Sequence, residues 1–363
     1  MNQTNNNSKR LPVKADAAIM TECWTYVKLA VIQSSSLGNA WLATHFDIFI
    51  DNEFKIHFGH IDKAYRMMDY NDLLDYSEIN YLNVHPSRIV DLLISEIENN
   101  NYVSLFLSHF YLVHGFDNEK KVFNICCGVG GGFKENLYTY SEVEALYTQF
   151  YECYHNSPDA PDVLELSFFP ITRISLRESY NMEAYFYEIS KRFLDEIDGK
   201  KYSVCNYNGE NTAEAKDYYT GLACLLIMEM RIYEYIRDQV HLIATGSAYE
   251  RAEEMKVNFN KLYEHRKIIL TVMKWLVSLY EEVDESIYSE ISIYEECCNT
   301  MRIIANLAMK FAFTIDWDIL PRMQKQLKGE YDKEKRALTL FHQKIYAMNL
   351  TKRSKLVKIE NCY

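Results

Sequence analysis

The sequence predicts an α+β protein in which a compact α/β domain is followed by an all-helical domain. The chain has 363 residues, and because domains cluster at roughly 100–150 residues, two domains are expected. β-Branched and aromatic runs alternate with helical patterns up to about residue 200. From Ala213 to Leu320 there is no proline, and apolar residues recur at helical spacing. The expected organisation is a disordered tail at 1–15, an α/β domain at 16–200, a helical bundle domain at 205–350 and a tail at 351–363.

Local patterns predict the first elements of the α/β domain. Apolar residues near helical spacing predict a buried helix within Ala17–Ser34 that begins close to Cys23. Pro86 in the first turn of a second apolar pattern predicts a helix over His85–Asn99. Tyr102–Val113 and Lys121–Cys126 are rich in β-branched and aromatic residues and are separated by turn residues, which predicts a β-hairpin.

The rest of this domain shows the same alternation. Phe133–Tyr138 is extended in pattern, and Ser141–Cys153 and Met182–Ile197 are helical in pattern. Val163–Leu176 is predicted to be a strand with a kink at Pro170.

Four long helices are predicted for the second domain. Their exposed faces carry mixed charge, which favours a bundle over a coiled coil. Their ranges are Asp217–Ala244, Tyr249–Tyr280, Glu285–Phe313 and Asp316–Met348. The residues expected to be buried among them are Leu262, Ile269, Trp275, Ile303 and Leu307.

Charge and hydropathy exclude two classes of partner. The formal net charge is -12 and no basic stripe with interleaved aromatic residues is visible, so nucleic acid is not expected as a partner. No apolar run reaches the eighteen or so residues that a membrane span needs. The polar segment Met1–Arg10 does not have the pattern of a secretory leader, so a cytoplasmic location is expected. The sequence leaves the oligomeric state open.

The cysteine pattern favours reduced thiols. The nine cysteines are odd in number, form no CxxC motif and include two adjacent pairs, Cys126–Cys127 and Cys297–Cys298. Neither pair has a histidine at the spacing of a structural zinc site, and we expect no metal. His57 and His60 have a spacing seen in metal sites, but no third ligand is near, so exposed histidines are the simpler interpretation.

Cys23 and His109 form the candidate catalytic pair. The N-terminus of a helix stabilises a thiolate, and a neighbouring imidazole can accept the thiol proton, so a helix-start cysteine with a strand histidine can form a nucleophile at neutral pH. If His114 faces Cys23 instead, the phase of the strand is shifted by an odd number of residues. The alternative is that Cys23 is a small buried apolar residue.

The order of three segments resembles a known fold. ECWTYVKLAVI, then HFYLVHGFDNEKKVF, then a glycine-containing turn and SEVEALY resemble the papain-like fold of bacteriocin-processing cysteine peptidases and butirosin-type acyltransferases. In that fold a cysteine opens the central helix, a histidine starts a strand before a Gly–aromatic–Asp turn, and an acidic residue ends the next strand. The resemblance implies that Cys23 is the nucleophile and His109 its base, with no metal or organic cofactor.

Two positions differ from the family pattern. Cys126 or Cys127 stands where the family places an aspartate, and Ala15–Glu22 contains no glutamine to serve as an oxyanion donor. The acid orients the imidazole, and one oxyanion donor contributes about 2.7–4 kcal/mol in acyl transfer. A site built in this way is expected to be slow, to use another orienting group or to be inactive.

The second half extends the resemblance. Asn258–Leu276 and Met301–Glu334 resemble the helical region that accompanies this domain in proteins of nonribosomal and thiotemplated peptide clusters of low-GC bacteria. The resemblance spans most of residues 16–345 and implies an acyl or peptidyl carrier protein and a peptide-like small molecule as partners. His265, within the first segment, is expected either at a domain interface or in a charge network.

Three functional interpretations follow. The first is a biosynthetic enzyme in which Cys23 takes an acyl or peptidyl group from a carrier-bound thioester and passes it to an amine, or to water as a hydrolase. The second is a catalytically degenerate papain-like scaffold that binds a carrier protein or a peptide product. The third is a helical interaction module whose α/β portion is structural.

Overall fold

A computed structural model describes most of the chain. The described residues are 7–14, 23–35, 38–44, 46–51, 53–58, 74–80, 83–107, 109–128, 133–155, 171–176, 182–199, 201–207, 210–280 and 282–349. The chain divides into two compact units, one made of residues 1–38 and 70–180 and the other of residues 39–69 and 181–363. The protein is a mixed α+β structure with antiparallel sheets and a C-terminal helical region.

The elements are numbered in chain order. The strands are β1 (Ser8–Arg10), β2 (Ile48–Ile50), β3 (Ile56–Phe58), β4 (Leu74–Glu78), β5 (Tyr102–Phe106), β6 (Phe110–Asp117), β7 (Val122–Gly128), β8 (Phe133–Thr139), β9 (Ile171–Leu176), β10 (Lys201–Tyr207) and β11 (Glu210–Thr220). The helices are α1 (Cys23–Ile32), α2 (Gly38–Thr44), α3 (Ile89–Glu98), α4 (Tyr140–His155), α5 (Met182–Asp198), α6 (Ala223–Arg237), α7 (Gln239–Ala244), α8 (Ala248–Ser278), α9 (Ser286–Thr314), α10 (Ile319–Leu327) and α11 (Glu330–Asn349).

The first unit is built on one antiparallel sheet of seven strands. Its order is β4-β9-β5-β6-β7-β8. Strand β5 pairs with the first half of β6, up to Val113, and β1 pairs with the second half, from Gly115 to Asp117. Helix α1 packs against β6 and β7, and α3 packs against β5 and β6. The predicted helix start near Cys23 is confirmed, as are the predicted helices at α4 and α5. The predicted helix at 85–99 is also confirmed, with Pro86–Arg88 as a 3-10 turn before α3.

Two predictions for the first unit are wrong. Tyr102–Val113 is not one strand, because the chain reverses at 107–109, where the Leu107 N–H donates to the His109 carbonyl at 3.0 Å. The turn of the predicted hairpin also lies later than expected, because β6 continues past Val113 to Asp117 with a bulge between Val113 and Gly115. The turn follows at 118–121, and the Asp117 carboxylate accepts two backbone N–H groups of that turn.

The described part of the expected N-terminal tail is ordered. Ser8–Arg10 forms β1 and occupies the edge of β6 that β5 leaves after Val113. Leu11 extends the pairing, since its N–H donates to the His114 carbonyl at 2.7 Å. Unpaired strand edges are costly when buried, which explains why this segment is held in place. The expected tail at 351–363 and residues 163–170 lie outside the described residues.

The second unit is not all helical. Lys201–Tyr207 and Glu210–Thr220 form a β-hairpin within a four-stranded antiparallel sheet of order β10-β11-β2-β3. The prediction of a helix from Asp217 is therefore wrong over its first six residues, because β11 runs to Thr220 and α6 begins at Ala223. Gly221 follows β11 with φ of +55°, and a Cβ on it would lie 2.5 Å from the Glu196 carbonyl oxygen. The close approach of two backbones thus explains a glycine at this junction.

Long helices form the rest of this unit. Helix α8 packs along α9, and α9 also packs against α10 and α11. The last predicted helix is divided, because α10 ends before Gly329, which has φ of +85°. Within the described residues, no helix has both the length and the apolar character to cross a membrane.

The predicted core of the helical region is partly correct. Leu262 and Ile269 are fully buried, but Ile303 is 46% exposed and Trp275 and Leu307 are half-buried. The buried face of α9 instead carries Met301, Ile304, Ala305 and Ala308.

The compact units differ from the boundary expected near residue 200. Segments 39–69 and 181–199 belong to the second unit, although the sequence pattern placed both in the first. Two contacts explain the difference, since β2 pairs with β11 and α5 packs against α11.

Candidate functional site

Cys23 lies at the position of a helix-start nucleophile. It is the first residue of α1, whose first backbone N–H groups have no partner within the helix. The helix spans ten residues and packs against β6 and β7. The Cys23 side chain lies outside the part of the chain that is described.

Contacts along α1 hold it against the sheet of the first unit. Near its beginning, Tyr26 bonds to the thiol of Cys126, which lies opposite Leu112 of β6. In its second half, the Ala30 carbonyl accepts the Lys14 N–H at 2.9 Å, so the segment after β1 also contacts the helix.

Helix α1, which begins at Cys23, packs against β6, and β6 begins one residue after His109. The helix and the strand that carry the candidate pair are therefore neighbours in the first unit.

His109 lies in the turn between β5 and β6. The sequence placed it inside a strand, but the reversal at 107–109 sets it one residue before Phe110. Its side chain is exposed, and the rings of Phe106 and Phe110 flank the turn with centroids 4.9 Å apart. An exposed imidazole at the end of a strand is accessible to a substrate.

Cys126 and Cys127 lie on β7 and, as neighbours on a strand, face opposite sides of the sheet. Both are buried. Burial, together with the negative charge of Glu135, raises the pKa of the Cys126 thiol to about 11. Cys127 Sγ lies 3.3 Å from the Tyr138 hydroxyl and 3.6 Å from Asn136 Nδ2.

Neither thiol replaces the acid that the family pattern contains. Cys126 is neutral near pH 7, so it has no charge with which to hold an imidazolium. Cys127 is within hydrogen-bonding distance of Tyr138 and Asn136 on the other face of the sheet.

His114 belongs to a buried polar cluster that the sequence did not predict. Its Nδ1 lies 3.0 Å from the Leu11 carbonyl oxygen, and because a carbonyl only accepts, Nδ1 carries the proton. Its Nε2 has no hydrogen bond among the described residues and lies 3.5 Å from the Glu135 carboxylate. Burial lowers the pKa of this imidazole. Glu135 also pairs with Arg10 of β1, so the cluster ties β1 to β8.

Glu135 can be recognised as a neighbour of Cys126 only when the register between β7 and β8 is known. Glu135 lies directly opposite Cys126 in the pairing of β7 with β8, and directly opposite residues share one face of a sheet. Sequence spacing alone does not bring the two residues together.

His265 lies in a buried charge network within the second unit. Its Nε2 donates to the Phe46 carbonyl at 2.6 Å, and its Nδ1 accepts from Arg266 at 3.3 Å. Both ring nitrogens are therefore satisfied in the neutral form, and burial beside Arg266 holds the pKa of His265 well below its usual range. Arg266 in turn pairs with Glu334 at 3.1 Å, with both side chains fully buried.

Glu196 gives this network a dependence on pH. Burial raises the pKa of Glu196 from 4.5 to about 8. The unfolded chain loses this proton near pH 4.5 and the folded chain near pH 8, so the contribution of Glu196 to the free energy of unfolding falls as pH rises between these values. His265 acts in the opposite sense, since its lowered pKa removes stability as pH falls below 6.5.

We therefore expect Glu196→Gln to remove the decline of stability with pH above about 4.5. The measurement is the free energy of unfolding from urea titrations at several pH values. Glu250→Gln, at an exposed position, is the matched control and should follow the unchanged protein. Parallel pH profiles for Glu196→Gln and the unchanged protein would contradict the assignment.

The second unit also contains a cavity of about 740 Å³ that the sequence did not predict. It is lined by the turn before β3 and by one face of α8, and Arg231 stacks on Phe54 at its wall. His57 lines it and bonds through Nε2 to Asp51 at 2.9 Å, so the interpretation of His57 as a solvent-exposed histidine is wrong. His60 lies outside the described residues, and within them no group of three or more His, Cys, Asp or Glu side chains could hold a metal ion.

No protein-family model matches the chain, and no curated protein matches it with significance.

Proposed function

We propose that the chain is a papain-like, cysteine-dependent acyl or peptidyl transferase that acts on a thioester carried by a carrier protein. The observation that supports this proposal most directly is that α1, which begins at Cys23, packs against β6, the strand that begins one residue after the exposed His109. A thiol at a helix N-terminus and an accessible imidazole are the groups that thiol acyl transfer needs.

The reaction has two steps in this proposal. His109 accepts the proton of Cys23, and the thiolate attacks the carbonyl carbon of the carrier thioester. The carbon–sulfur bond to the carrier breaks, and the departing thiolate takes the proton from His109. An amine then attacks the acyl-enzyme, and His109 accepts a proton from the amine and returns it to the Cys23 sulfur as the bond between that sulfur and the acyl carbon breaks. Water in place of the amine would make the enzyme a hydrolase.

The setting of this reaction is also a proposal. The partners would be an acyl or peptidyl carrier protein and a peptide-like small molecule, and no metal or organic cofactor enters the two steps. A cytoplasmic location agrees with the free thiols of the described cysteines, such as Cys126 and Cys297.

One observation favours a second candidate, a papain-like scaffold that binds a carrier protein or peptide without turning it over. The acid position holds two buried thiols, Cys126 and Cys127, and neither can orient an imidazolium as a carboxylate does. An enzyme of this kind would be slow, and a scaffold would have no reactive thiol at Cys23.

Alkylation separates the two candidates. The folded protein is treated with iodoacetamide at pH 7, and the modified cysteines are identified by intact mass and peptide mapping. If Cys23 is an activated nucleophile, it should react about tenfold faster than Cys153, which is exposed and serves as the internal reference. Buried thiols such as Cys224 should remain unmodified. Equal rates at Cys23 and Cys153 would favour the scaffold.

A further inference from the structure

Helix α6 carries an exposed apolar stripe on the side opposite its buried face. Leu226, Met230 and Tyr233 are 39%, 55% and 58% exposed, and Val240 on α7 is 82% exposed. The separations of four and three residues between Leu226, Met230 and Tyr233 keep them on one side of α6, and Val240 lies on the short helix that follows. The other side of α6 is already buried against α10 and β11. We call these four residues the α6 stripe.

The α6 stripe is too apolar to be an ordinary exposed helix face. Single exposed apolar residues are common, but a contiguous row of large ones marks an interaction surface. Asp238 ends α6 and caps α7, so Val240 lies on the short helix that directly follows the stripe residues of α6.

Two charged residues of α6 flank the stripe symmetrically about Tyr233. Glu229 and Arg237 each lie four residues from it, on opposite sides, and carry opposite charges. A pattern of this kind is self-complementary when two copies of the helix lie antiparallel with a two-fold axis at Tyr233.

We propose that the α6 stripe binds a second copy of this chain and forms a two-fold symmetric dimer. In this arrangement the α6 helices lie antiparallel, and Met230 and Tyr233 of each copy pack against those of the other. Glu229 of each copy lies beside Arg237 of the other, on the same side of the helix pair, so the charge complementarity occurs twice. Arg237 is exposed and paired only with its neighbour Asp238 among the described residues, at 2.8 Å, so its guanidinium remains accessible to a second carboxylate.

The charge arrangement favours a second copy over an unrelated partner. An unrelated protein needs an apolar surface but has no reason to match both Glu229 and Arg237 about one axis. A single pair of helices buries less than a standard protein interface, so we expect a reversible dimer with a micromolar dissociation constant.

Sedimentation velocity of the full chain over a range of concentrations tests the proposal. The unchanged protein should shift from monomer to dimer, and Met230→Glu combined with Tyr233→Glu should stay monomeric. Leu137→Glu, at another exposed leucine, is the control and should dimerise as before. A chain that stays monomeric at its highest usable concentration, or a dimer that persists in the double variant, would overturn the proposal.

Charge reversal tests the two-fold geometry itself. Glu229→Arg alone should raise the dissociation constant by about tenfold, because it places two positive charges side by side in both halves of the interface. Adding Arg237→Glu should restore the dimer, since the charges are exchanged. Failure of the combined variant to recover would rule out an antiparallel pair centred on Tyr233. Circular dichroism confirms that these exposed substitutions leave the fold intact.

Discussion

Replacing Cys23 by alanine is expected to abolish acyl transfer from a carrier-bound thioester while leaving carrier binding intact. The thiol supplies the bond to the acyl-enzyme, so its loss should lower the transfer rate by at least about 10³-fold. His109→Ala should cost nearly as much, because a nucleophile and its base act as one unit and their losses do not add. The assay follows loss of the acyl group from the carrier protein and the acyl adduct on the enzyme by mass spectrometry.

Cys126→Ala is the matched control for this experiment. Cys126 is a buried, neutral thiol bonded to Tyr26, and in the proposed scheme it carries no charge in the reaction. Its loss should affect transfer less than loss of Cys23. If Cys23→Ala transfers as fast as the unchanged protein, the scaffold interpretation replaces the enzyme. If only Cys126→Ala fails, Cys126 is the nucleophile.

Arg266→Met is expected to lower the free energy of unfolding by about 3–5 kcal/mol. Arg266 and Glu334 are fully buried in the second unit, and the Arg266 Nε lies 3.2 Å from a Glu334 carboxylate oxygen. Removing the arginine leaves Glu334 buried without its counter-charge and takes away the donor to His265 Nδ1. Urea titration followed by circular dichroism measures the change.

Two further variants show whether the loss comes from an uncompensated charge. Arg266→Met with Glu334→Leu removes both charges and should recover much of the stability, since apolar pairs often replace buried ion pairs without loss. Arg237→Met breaks an exposed pair and should change stability by less than about 1 kcal/mol. Equal losses for the single and the double variant at this site would contradict this explanation.

Local signals predicted the helices of the first unit better than its strands. Pro86 and the apolar spacing after it predicted α3, and the helical spacing of apolar residues alone predicted α5. The reversal at 107–109 was missed because its flanking residues have strand character on both sides, and nothing local marks where one strand ends. The hairpin of β10 and β11 was missed because its sequence is polar and has few β-branched residues.

The pairing of strands far apart in sequence could not be predicted from local pattern. Tyr219 lies opposite Ile50, and only the folded structure brings these two segments together. The same limit applies to the candidate site, where the order of Cys23 and His109 was visible in the sequence but the packing of α1 against β6 was not. Ile303 shows a third limit, since helical spacing leaves the phase of a helix uncertain when several adjacent faces are apolar.

The discontinuous second unit affects how the chain folds during synthesis. Strand β2, Ile48–Ile50, has three buried apolar residues, and its partner β11 ends at Thr220. At about 5–20 residues per second, a ribosome needs roughly 10–30 s to make the intervening chain. During that interval β2 has β3 beside it, but the other edge of β2 has no partner. We therefore expect this hairpin to be the part of the nascent chain that is most dependent on chaperones, because an apolar strand edge invites pairing with other chains.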